Sequence, residues 1–246
     1  MIAHGQGHAI WAAFVCFAAL ALAGCGANGA SSVYIPPVNP APSVSGTVYA
    51  PNGQFAAAER WWQWAEALRL MPRAYAALQS ELPITTEENV SLSKLDPVEA
   101  AHGSTDQALL LANGSTDSDG MYFISNDQLA SFQAGQIIVQ VGSDQVGTLT
   151  RAFVLSCTTN AGVSCTADID AVSEAVVHLV LDYLSQTTAQ LSDFSNEDLG
   201  EIEYVAGILA GNISGASVAE VNDNVYNRLA ASQTMQNCLK QPDQCD

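Results

Sequence analysis

The sequence predicts an α+β fold: an antiparallel β-sandwich interrupted by a helical insertion and followed by a small C-terminal helical bundle. Three observations point there. Short runs of alternating apolar and polar residues, separated by turn-formers, fill the stretch from Val90 to Leu155. A segment with apolar residues at helical spacing, 54–82, is inserted ahead of them. Beyond Cys165 the spacing becomes helical, in segments opened by capping residues.

The 246 residues divide into four parts: a leader at 1–24, a tether at 25–43, the sandwich at 44–156 with its insertion, and a disulfide-containing helical domain at 157–246. With 48% hydrophobic and 13% charged residues, the chain suits compact structure in one or two domains. The 7 Lys+Arg and 25 Asp+Glu all fall after residue 24, so the formal charge of -18 belongs entirely to the chain beyond the leader. Nucleic acid is not an expected partner, because a binder needs Lys and Arg massed against the phosphates.

From Ile10 to Ala23 every residue is apolar or small, a length suited to a signal-peptide core and short of the roughly 20 residues of a membrane span. The n-region MIAHGQGH ahead of it carries His4 and His8 in place of Lys or Arg. Leu22-Ala23-Gly24-Cys25 then resembles the lipobox of bacterial lipoproteins. The resemblance implies cleavage before Cys25, a diacylglycerol on its thiol and a fatty acyl group such as palmitate on the new N-terminus. It also implies a bacterial cell envelope location, held at the membrane by lipid. Gly26, in place of the Asp that retains such proteins at the inner membrane, points to the outer one. Residues 26–43 are rich in Gly, Ser, Asn and Pro and read as the tether.

Val44, Gly46 and Val48 share one face of a first strand that ends in the turn Pro51-Asn52-Gly53. In the insertion, Phe55, Ala58, Trp61, Trp62, Ala65 and Leu68 recur at helical spacing, and Pro72 ends or kinks the helix. Then come NVSLSKL, QALLLANG, GMYFISN, QIIVQVG and TLTRAFVL as strands. The D-x-D-G turn at Asp117 to Gly120, running into Met121-Tyr122-Phe123-Ile124, belongs to a pattern with Ser45-Gly46-Thr47-Val48 and Ile137-Ile138-Val139-Gln140-Val141. That pattern resembles carboxypeptidase regulatory-like domains, which implies a transthyretin-type (Ig-like) sandwich that is not itself catalytic.

Toward the C-terminus, Asp170 caps a helix whose stripe is Val172, Val176, Leu179, Val180, Tyr183 and Leu184. A second helix opens at Ser195 and stops at Gly211-Asn212; a third opens at Ser217 and runs toward Cys238.

Cys157, Cys165, Cys238 and Cys245 form two close pairs, and in an exported chain the simplest of the three possible connectivities closes a small loop with each. A zinc site of all four thiolates is the competing reading, but its paired ligands are usually separated by about two to four residues, fewer than here. Asp117 and Asp119 are weak calcium candidates: Ser115 and Asn126 occupy ligand positions where the loop wants carboxylates, and a plain turn explains the same residues. No other cofactor is expected. Glu174, His178 and Asp182 share one helix face, read as a solvated stripe in preference to a metal site. His102 falls in an exposed loop.

Motifs for nucleophilic catalysis and phosphate loops are absent from the sequence. The expected function is therefore a non-catalytic binding or structural module at the envelope, with an envelope protein or glycan as partner. The alternatives are a carbohydrate-binding surface protein using Trp61, Trp62 and Trp64 as stacking faces, whose bland counterpart is core packing, and a carboxylate-dependent hydrolase.

Overall fold

A computed structural model describes residues 41–53, 81–131, 135–143, 147–158, 163–212, 215, 217–242 and 245. All belong to one compact unit, Asn39–Asp246. The leader, Cys25, the tether up to residue 40 and the tryptophans at 61, 62 and 64 lie outside the described residues.

The fold is α+β. The strands are β1 (Ser43–Thr47), β2 (Tyr49–Pro51), β3 (Glu81–Pro83), β4 (Asn89–Lys94), β5 (Leu109–Ser115), β6 (Met121–Ser125), β7 (Ile137–Val141), β8 (Thr150–Phe153), β9 (Ser156–Thr158) and β10 (Ser164–Thr166). The helices are α1 (Pro97–Ala100), α2 (Ala171–Gln186), α3 (Asn196–Ala210), α4 (Val218–Ala230) and α5 (Gln233–Lys240). One sheet runs β6-β1-β10-β9, a second β5-β4-β7-β8, and β2 pairs with β3. Among the described strands all pairings are antiparallel except β1 with β10.

The apolar run of β7 reflects burial on both faces. Ile137, Val139 and Val141 join a cluster with Val44, Ile124 and Cys165 of the first sheet, while Ile138 joins the helices. Strand β8 alternates in the same way: Ala152 faces the strand cluster and Phe153 the helical one. Phe153 pairs with Ile138 and Arg151 with Gln140, so Arg151 shares the helix-facing side with Phe153.

Helix α2 is the element the helical cluster surrounds. Its sequence is apolar almost all round, as a helix buried between layers requires. Asp170 caps it, accepting from the Ser173 N–H at 2.7 Å while Ser173 Oγ accepts from the Asp170 N–H at 3.0 Å. Ser195 opens α3 with the expected box, and Gly211, at φ 60°, stops it.

Four expectations change. The third helix is two, because Ser232 caps a new start at α5, accepting from the Met235 N–H at 3.4 Å. Of the helical insertion expected at 54–82, residues 54–80 lie outside the described residues, while Glu81 and Leu82 belong to β3. The boundary expected at 156/157 cuts β9, and the Cys157/Cys165 hairpin is sheet rather than part of a helical domain. Leu95, Ile138 and Phe153 share the helical core, so strands and helices are packed as one body. No described helix is long and apolar enough to cross a membrane.

Both close cysteine pairs are disulfides: Cys157–Cys165 at 2.05 Å and Cys238–Cys245 at 2.06 Å. Cys157 and Cys165 stand directly opposite each other in the β9/β10 ladder.

Candidate functional site

A cleft of about 540 Å³ opens beside α2, walled by the 103–106 loop, by Gly147 to Arg151 and by α4. At its centre Arg151 meets Glu174. The carboxylate accepts from Arg151 Nη2 at 2.5 Å, from Nε at 3.0 Å and from the Arg151 backbone N–H at 2.7 Å. The opposite Nη1 donates to Thr105 Oγ1 at 3.1 Å, which ties the loop to the strand. Glu174 is buried, 7% exposed, and so is not part of a solvated stripe. Its burial is tolerable because the guanidinium supplies a matched fork of donors.

One and two turns further along α2 stand His178 and Asp182, as their spacing predicts. Tyr226 of α4 stacks on His178, with centroids 4.2 Å apart and planes 23° apart, and donates its hydroxyl to Asp182 Oδ2. That hydrogen bond to a carboxylate, followed by burial, pushes the Tyr226 hydroxyl up to about 12. Asn222, one turn earlier, donates to Leu149 O at 3.3 Å and Thr150 Oγ1 at 3.2 Å, holding α4 to β8.

A second, smaller cleft of about 300 Å³ includes Phe153, Asp168 and Glu203. Burial first, then the charges of Asp170 and Asp168, push Glu203 up to about 7. Glu81 reaches about 7 through burial and Asp170, against the lowering effect of the Ala171 N–H that donates to it at 3.1 Å. Burial also raises Asp170. Asp168 accepts from the Thr47 N–H at 2.8 Å, joining α2's approach to β1.

No protein-family model matches the chain, and no curated protein shows significant similarity to it.

Of the residues singled out from sequence, Glu174 and His178 line the larger cleft and Asp182 braces it through Tyr226. Asp117 and Asp119 are elsewhere: Asp117 Oδ1 accepts from the Asp119 and Met121 N–H groups, each at 2.9 Å, to close the turn before β6. His102 is exposed at the end of α1, its Nδ1 2.7 Å from Val98 O. Among the described residues, no three His, Cys, Asp or Glu side chains are grouped to hold a metal. Arg151, Thr105, Asn222 and Tyr226 were missed by sequence reasoning. One signal did exist, a lone Arg inside the run TLTRAFVL, since a charge in a strand buried on both faces needs a partner of opposite sign.

Proposed function

We propose that this chain is a lipid-anchored protein of the bacterial envelope, delivered to the outer membrane, whose folded part is a non-catalytic binding module. The two four-stranded sheets form the transthyretin-type sandwich of a carboxypeptidase regulatory-like domain, with the helices packed on one face. Cys25 carries the lipid, on the strength of the LAGC sequence.

One observation carries the binding reading. In the larger cleft the buried carboxylate and the phenol are committed to protein partners: Glu174 to three Arg151 N–H donors, and the Tyr226 hydroxyl to Asp182. A general base needs a free lone pair toward substrate, which the buried Glu174 carboxylate, bound on both oxygens by Arg151, does not offer. Mutual pairing instead makes a preorganised wall, which suits recognition. The module binds a small polar ligand or an exposed group of an envelope protein or glycan.

Two experiments test this. Cells grown with a fatty-acid analogue should label the chain, and Cys25→Ser should abolish the label; persistent labelling would remove the anchor. A panel of small polar compounds should shift amide resonances around residues 104–106 and 219–226 without being turned over. Turnover abolished by Glu174→Gln would replace the binding reading with catalysis at this cleft.

A carboxylate-dependent hydrolase is the second reading, favoured by Glu203, which is raised to about 7 in a cleft that also holds Asp168. Glycoside or ester cleavage lost in Glu203→Gln would establish it. Stacking of glycans on Trp61, Trp62 and Trp64 rests on sequence alone, and glycan binding unchanged by Trp→Ala at all three positions would end it.

A further inference from the structure

We infer that the ligand of the larger cleft is a small organic cation, an ammonium borne on an aliphatic chain or a sugar. This rests on reading the cleft as a binding site. The charged side chains lining it are Asp106, Glu174, Asp223 and Arg151, three carboxylates against one guanidinium, with His178 beside them. Arg151 is held by Glu174 and Thr105 and its side chain is only 11% exposed, so its charge is neutralised before any ligand arrives. Asp106 and Asp223 are different. Both are exposed, they come from separate elements, and neither carboxylate has a hydrogen-bond or ion-pair partner among the described residues. The cavity thus presents two bare negative charges and no uncommitted permanent positive one.

The aromatic wall supports the same class of ligand. Tyr226 donates its hydroxyl to Asp182, which leaves electron density on the ring, and the face of an electron-rich ring attracts a cation. His178 stacks on one face of that ring, and both side chains line the cleft. At longer range, a chain of formal charge -18 with 7 Lys+Arg concentrates cations at its surface, and a concave site focuses that field. An anion would meet two unpaired carboxylates. A neutral polyol would find hydrogen-bond partners but would leave both negative charges uncompensated.

The test compares two probes of the same length, 1,5-diaminopentane and 1,5-pentanediol, titrated into the isotope-labelled full chain at low and at physiological ionic strength. The diamine should shift the amides of Ser104 to Asp106 and of Ala219 to Tyr226, binding at least about tenfold more tightly than the diol and weakening with salt. The variant Asp106→Asn/Asp223→Asn, which changes two exposed side chains and should keep the parent Tm, should lose about tenfold in diamine affinity. Equal binding of the diol overturns the cation assignment while leaving the cleft a binding site. Failure of both probes and of the wider panel to shift these amides overturns both readings. Diamine binding retained by the double variant assigns the cation to the general acidic surface and overturns the inference.

Discussion

Arg151 and Glu174 lie 23 residues apart in sequence and meet through three hydrogen bonds, one of them from the Arg151 backbone. The pair joins β8 to the first turns of α2, so the cleft and the packing of helix on sheet depend on the same contact. Removing one partner strands a buried charge, which costs about 3–5 kcal/mol. Glu174→Ala should therefore lower Tm by roughly 6–15 °C for a chain of this size. The double variant Arg151→Met/Glu174→Leu, which strands nothing, should lie well above the single one. A thermal melt placing the double variant below Glu174→Ala would show that the pair is itself a net source of stability.

Gly46 sits in β1 where a Cβ would stand 1.8 Å from Ala167 O and 2.7 Å from Ala167 C. The same carbonyl accepts the Tyr122 hydroxyl at 2.5 Å, and Tyr122 is buried. Neither obstruction is a flexible side-chain end, so the strand itself must shift. Gly46→Ala should cost at least about 3 kcal/mol, more than most additions of a single methyl group to a core. Tyr122→Phe removes one donor from a buried carbonyl and should cost less, about 1–2 kcal/mol. Urea denaturation of the two variants checks the order.

The strands from Val90 to Phe153 were legible because alternation and turn chemistry are local, and five of the expected runs fall on β4 to β8. The capping signals at Asp170, Ser195 and Ser217 were legible for the same reason. What is long-range was not. Nothing near Cys165 tells that β10 will lie parallel to β1, since that pairing joins Val44 to a residue 121 positions on. The amphipathic template placed Glu174 outside because it assumes one buried face, whereas α2 is covered on several. The cleft draws on four separate segments, so only its α2 residues could be seen together in the sequence. The break before α5 was missed because the apolar spacing carries on through Met235 and Cys238, masking the cap at Ser232.

Each disulfide closes a short loop, with separations of 8 and 7 residues, and loop-closure entropy gives about 2–3 kcal/mol for each. Cys157→Ala/Cys165→Ala and Cys238→Ala/Cys245→Ala should each lower Tm by roughly 5–10 °C. The C-terminal pair acts on helix packing, since Cys238 is buried in the helical core beside Leu239 and Met235. Its loss should raise amide exchange in α5 and in α3 and α4, the helices it touches, while leaving β4 and β7 protected. Exchange rising uniformly across the chain would count against that local effect.

Glu81 and Glu203 make stability depend on pH in a direction unusual for carboxylates. Both are raised from an ordinary value of 4.5 to about 7, chiefly by burial and then by Asp170. A carboxyl raised in the folded state binds its proton more tightly there than in the unfolded chain. Between about 4.5 and about 7, the folded protein keeps protons the unfolded chain has already released. The contribution of these groups to stability is therefore full below that window, falls as pH rises through it, and is flat above. Each amounts to something on the order of 1 kcal/mol once partial exposure is allowed for. Glu81→Gln keeps an oxygen for the Ala171 N–H and removes the ionisation, and Glu203→Gln removes the second. At pH 8 each variant should melt about 2–4 °C above the parent, and at pH 4.5 the curves should converge. Melting curves at half-unit steps between these limits decide the matter: an offset between parent and variant that stays constant across the window would mean that neither carboxyl changes its protonation on unfolding there.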